Sequence, residues 1–156
     1  MARILCDTGI LLRLVNRNDP GHGTVTDALR SLIESGQELL YTPQNLREYW
    51  NVATRLAAQN GLGLDTAAAN EGAKTIEALL ALLKVSTAGH TEWRRIVVEY
   101  EVKGVQVHDA SLAAAMRVGE CEHLLTLNVR DFRRCDWVKL LTPNDVEVFL
   151  SGAKGA

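Results

Sequence analysis

Aromatic residues are scarce in this 156-residue chain: Phe, Trp and Tyr together make up 5%. Ala, Leu and Val must therefore fill the core. There is no surplus of basic charge, the net charge being −2. No global positive field advertises nucleic-acid binding, so any such binding needs a local patch. Cysteine is also sparse. Cys6, Cys121 and Cys135 have no metal-like spacing and leave one unpaired in any disulfide scheme. They read as reduced structural thiols of a cytoplasmic protein. No apolar run approaches membrane-spanning length, and the first one is too short for a signal peptide. Gly-x-Ser-x-Gly, a Walker loop and paired-Cys zinc motifs are all missing, and His22, His90, His108 and His123 lack zinc-ligand spacing.

What is present is the profile of one globular domain: 47% hydrophobic and 23% charged residues. Strand-like and helix-like segments alternate, which predicts an α/β fold with a mostly parallel sheet. Strands are expected at 3–6, 38–41, 84–86, 105–108, 123–127 and 138–141. Helices are expected at 8–15, 24–35, from Pro43 to about Ala57, 65–83, 91–102, from Asp109 through Arg117, and from Pro143 through Leu150. Thr42-Pro43 and Thr142-Pro143 are matching start signals, Thr as N-cap and Pro at the first helical position. No repeat or linker divides the chain, so residues 1–151 form one domain and 152–156 a short frayed tail.

Three aspartates sit just past segments that read as buried strands. Asp7 follows Arg3-Ile4-Leu5-Cys6, Asp109 follows Val105-Gln106-Val107-His108, and Asp131 comes shortly after Leu124–Asn128. In open α/β sheets, ligands bind beyond the carboxyl ends of the strands. Carboxylates gathered there repel one another unless they share protons or hold a hard cation. Each also has an ordinary explanation: Asp7 and Asp109 precede helical sequence and would serve as N-caps, and Asp131 fits a solvated turn. Glu48 falls opposite the stripe of Leu46, Tyr49, Trp50 and Ala53, on a polar face that is either solvent or the wall of a cleft. Trp50 and Trp93 lie on apolar stripes and read as packing residues rather than base-stacking ones.

The segments Ile4-Leu5-Cys6-Asp7-Thr8, Glu48 in the third helix, His108-Asp109-Ala110-Ser111-Leu112-Ala113-Ala114-Ala115 and Leu125-Thr126-Leu127-Asn128-Val129-Arg130-Asp131-Phe132 resemble the PIN-domain nucleases, especially VapC-like toxins of toxin–antitoxin pairs. The order and approximate spacing of the acids fit across nearly the whole chain. The resemblance implies a three-layer fold with a short, mostly parallel central sheet flanked by helices. It implies that Asp7, Glu48, Asp109 and Asp131 form an acidic pocket for Mg²⁺ or Mn²⁺, with Thr8, Thr126 and Asn128 orienting carboxylates or water. The implied reaction is hydrolysis of RNA phosphodiester bonds. Arg13, Arg17, Arg47, Arg130, Arg133 and Arg134 are the candidates for phosphate contacts. A small antitoxin and a homodimer are the implied partners. The alternatives within the fold are an RNA-processing nuclease with no antitoxin and a catalytically silent interaction domain; four intact acids weigh against the latter. Cys6-Asp7-Thr8-Gly9 also contains the Asp-Thr-Gly of aspartic proteases, but those are mostly β-structured and pair two such motifs.

Overall fold

Strand β1 (Arg3–Cys6) is the centre of the sheet in a computed structural model that describes residues 1–154, with side chains through 152. Its Ile4, Leu5 and Cys6 are wholly buried, as expected for a parallel strand covered on both faces. The other strands are β2 (Glu38–Tyr41), β3 (Ala81–Leu82), β4 (His123–Leu125) and β5 (Lys139–Leu141). Their order is β3-β2-β1-β4-β5 and every pairing is parallel. β1 runs level with β4, with Ile4 beside His123 and Cys6 beside Leu125.

The helices are α1 (Thr8–Val15), α2 (His22–Glu34), α3 (Pro43–Thr54), α4 (Thr66–Leu79), α5 (Thr87–Glu99), α6 (Gln106–Val118) and α7 (Val146–Lys154). Strand alternation splits the core into two layers. Ile4, Cys6, Leu39 and Leu125 pack with residues of α1–α4 and α7. Leu5, Leu40 and Leu124 pack with Leu112 and Met116 of α6 and with Phe132. α5 lies outside this second layer, joined to α6 through Ile96, Ala110 and Ala114. The architecture is thus the expected three-layer α/β fold, parallel throughout its described strands. Burying a side chain such as Ile4 or Leu5 stabilises the fold by about 1.5–3 kcal/mol each, so the strands that aim the site are also among its best anchored parts.

Three expectations fail. Residues 105–108 are not a strand: α6 begins at Gln106, and Val105 is 82% exposed. Val105 and Val107 alternate with polar residues, which mimics a strand over a window too short to show the helical period. The third strand lies at Ala81–Leu82 rather than 84–86, cutting α4 off at Leu79; both of its side chains are exposed, so it carries no burial pattern to read. α5 starts at Thr87, capped by Ser86 through the Gly89 amide, and Thr91 lies inside it. At the other end, α7 extends through Lys154, so the start of the expected tail is helical, and residues 155 and 156 lie outside the described residues. Among the described residues, no helix is long and apolar enough to cross a membrane.

Candidate functional site

Asp7 is the first residue after β1. Its backbone is extended (φ −68°, ψ 157°), and its amide continues the sheet by donating to the Leu125 carbonyl of β4 at 2.9 Å. The side chain then caps α1, accepting from the Thr8 amide at 2.8 Å, while its other oxygen accepts from Thr126 Oγ1 at 2.8 Å. Capping and site-building are the same act here. Thr126, itself fully buried past the end of β4, also accepts from the Asn128 amide at 3.0 Å. Asn128 therefore enters the network through its backbone.

Thr8 is the hub. Its hydroxyl donates to Glu48 Oε2 at 2.7 Å and accepts from Asn45 Nδ2 at 3.2 Å. Asn45 belongs to the capping box that opens α3: Thr42 and Asn45 bond reciprocally through side chain and backbone, and both are buried. The box fixes the helix start, and Glu48 follows one turn later. Gln44, one turn before Glu48, donates to Glu48 Oε1 at 2.7 Å and to the His108 carbonyl at 3.0 Å. The chain of bonds thus runs from β4 through α1 and α3 to the start of α6, where Asp109 sits.

Asp109 differs from its partners. It is half-buried in the first turn of α6 and accepts no hydrogen bond from any described residue. Burial, then the charges of Asp7, Asp131 and Glu48, push its carboxyl up to about 6, with His108 offsetting only part of this. Asp7 is also raised, chiefly by burial; the Thr126 and Thr8 hydrogen bonds oppose the shift, and Glu48 and Asp131 add to it. Asp131 is exposed in a 3₁₀ turn at Val129–Phe132. The four acids therefore share one electrostatic neighbourhood. They do not form a compact ligand cage: among the described residues, no three His, Cys, Asp or Glu side chains gather closely enough to hold an ion as they stand. Like charges spread unless a cation offsets them.

The arginines divide. Arg13 is committed to its own helix and the following loop, donating to the Gly9 carbonyl at 3.1 Å and lying 3.6 Å from Asp19. Arg134 donates to Gln106. Arg17, Arg47, Arg130 and Arg133 are exposed, and no described residue pairs with them. Sequence pattern did not single out Gln44 or Asn45. Asn45 was legible as the third residue of a Thr-Pro capping box, and Gln44 as the residue four before Glu48 on a helix.

The PIN domain family model matches residues 4–138, so the chain belongs to the PIN-domain family. Among curated proteins, none matches this sequence. Several solved structures are similar to it. A chain of VapBC2 from Rickettsia felis, bound to a promoter DNA fragment, is 14% identical with a TM-score of 0.71, covering 90% of this chain and 98% of that one. DNA-bound VapBC from Salmonella typhimurium is 14% identical with a TM-score of 0.62, covering 92% and 99%. VapC20 of Mycobacterium tuberculosis, a sarcin–ricin-loop-cleaving toxin, is 21% identical with a TM-score of 0.55, covering 78% and 86%. At these identities the likeness is one of fold.

Proposed function

We propose that this chain is a divalent-metal-dependent endoribonuclease, the toxin of a toxin–antitoxin pair acting in the cytoplasm. The observation that carries this reading is Asp109: a half-buried carboxylate with no donor among the described residues, within the electrostatic reach of three other acids. A domain used only for binding has no need of that repulsion. The donor set is all oxygen, which suits Mg²⁺ or Mn²⁺. Asp7 and Asp109 would hold the ion directly, with Glu48 and Asp131 ligating through water or at a second ion. The bound ion would supply an activated water and offset charge on the phosphoryl group.

The chain's own residues do the rest. Thr126 and the Thr8 amide hold the two oxygens of Asp7 in place, and Thr8 and Gln44 do the same for Glu48. With these two carboxylates held, the movement needed to close on an ion falls to Asp109 and Asp131, which no described donor holds. Exposed Arg47, Arg130 and Arg133, close in sequence to Glu48 or Asp131, offer cations for RNA phosphates. Arg13 and Arg134 would contact phosphates only after giving up present partners. A toxin–antitoxin complex from Klebsiella pneumoniae is among the structures of similar fold, which supports a small antitoxin as partner. Exposed apolar residues on α4 and α5, Leu79 and Val98, are candidates for a homodimer interface.

Purified protein incubated with a panel of structured RNAs and Mg²⁺ or Mn²⁺ tests the reading. Cleavage should appear, stop on chelation and be lost in Asp7→Asn and Asp109→Asn. Cleavage that survives unchanged in both variants would overturn the mechanism.

A further inference from the structure

Beside the acids, a cavity of about 310 Å³ opens between α5 and α6. Its volume is at the lower end of the range for small-ligand sites, enough for one flat ring system. Its back wall is aromatic. Trp93 packs one side against the Ile96–Ala110–Ala114 cluster, and its indole N–H donates to the Val107 carbonyl at 2.9 Å, which fixes the ring. The His90 ring lies 5.9 Å from it at a 37° tilt. Periodicity assigns Trp93 to packing alone, yet half-buried Trp93 also lines the opening.

The polar groups of the cavity are few and unspent. Ser111 lines it and its hydroxyl makes no hydrogen bond to a described residue. Gln44 lines it too. Both bonds of the Gln44 amide run from its nitrogen, to Glu48 and to the His108 carbonyl, which leaves its side-chain carbonyl as an acceptor without a donor among the described residues. One residue thus touches the cavity and a carboxylate of the site at once. His108, also on the lining, is the neighbour of Asp109 in sequence.

We propose that this cavity is a nucleobase subsite: a base next to the scissile phosphate leaves the strand, stacks on Trp93 and is read by Ser111 and the Gln44 carbonyl. A fixed aromatic face with a small number of open donors and acceptors is what a single unstacked base needs. The direct Gln44 bridge to Glu48 favours a piece of the substrate over a separate partner. The subsite would make cleavage selective at one nucleotide position. This inference rests on the RNA-cleaving reading, and its test separates the two.

The experiment follows the indole N–H resonances while the metal-free protein is titrated with each nucleoside 5′-monophosphate at millimolar concentration. Trp93→Phe assigns the Trp93 signal. At least one nucleotide should shift Trp93 while leaving Trp50, which packs in the other core layer, still, and Ser111→Leu, which fills the cavity without touching a carboxylate, should weaken that binding roughly 10-fold, the scale of one base stack. With RNA, Ser111→Leu should flatten base preference at one position while leaving metal affinity unchanged. If no nucleotide shifts Trp93, or if Trp93 shifts instead with protein concentration alone, the subsite is wrong even where RNA is cleaved. If nucleotides bind there but no RNA is cut, base binding in the cavity stands, while its place beside a scissile phosphate falls with the nuclease reading.

Discussion

The two ends of the sheet carry similar numbers of charged groups and treat them in opposite ways. At the amino end, a cavity of about 780 Å³ is lined by Arg3, Glu34, Glu120, Glu122 and His123 among others. There, charges are paired or solvated: Arg3 meets Glu38 at 3.0 Å, and Lys139 meets Glu122 at 2.7 Å. At the carboxyl end, Asp7, Glu48, Asp109 and Asp131 have no cationic partner among the described residues, and their carboxylates are held by hydroxyl and amide donors or by nothing. Size would pick the amino end as the functional site. Charge picks the carboxyl end, because unpaired, partly buried carboxylates are costly to keep.

The largest effect that should expose this contrast is on chemistry. Asp7→Asn and Asp109→Asn should each lower RNA cleavage by more than roughly 100-fold, beyond the usual cost of losing a residue that merely supports a ligand. Glu122→Gln at the amino end should leave cleavage near wild type in the same assay. Next comes the hub. Thr8→Val removes the donor to Glu48 and the acceptor for Asn45. It should lower cleavage by roughly 10–100-fold and lower stability by about 1–3 kcal/mol, read by chemical denaturation.

The contrast also explains what sequence could disclose. Asp7 was legible because a buried strand, an N-cap and a helix meet at one residue. Glu48 was placed correctly on the face opposite Tyr49 and Ala53, but only the fold reveals that this face looks at Thr8 rather than at solvent. Asp109 was picked out as the end of a strand that does not exist, since the residues before it start a helix. Gln44 and Asn45 carry local signals, the i,i+4 spacing to Glu48 and the capping box, but their ties to the site run through His108 and Thr8, far away in sequence. The short strand β3 was misplaced because a two-residue, exposed strand has no period.

A smaller effect concerns stability and pH. In the folded chain the Asp109 carboxyl sits at about 6, against an ordinary 3.8. The folded state therefore prefers the neutral form: its stabilising contribution is full below about pH 4 and is lost as pH rises through 6. Asn resembles the neutral form. Asp109→Asn should thus stabilise the metal-free protein at pH 7 by about 1 kcal/mol, after discounting for the solvent that reaches this half-exposed group. The gain should shrink towards zero near pH 4, as followed by thermal melts across that range. The smallest effect belongs to the amino end. Glu38→Gln, at a pair whose side chains are about one-third exposed, should cost less than about 1 kcal/mol, and less still at high salt.

Mn²⁺ binding to the RNA-free protein at pH 7, followed by calorimetry in wild type, Asp109→Asn and Glu122→Gln, tests the central claim most directly. The carboxyl-end acids as a cation site predict binding in wild type and Glu122→Gln and its loss in Asp109→Asn. Equal binding in all three, or loss only in Glu122→Gln, would contradict it.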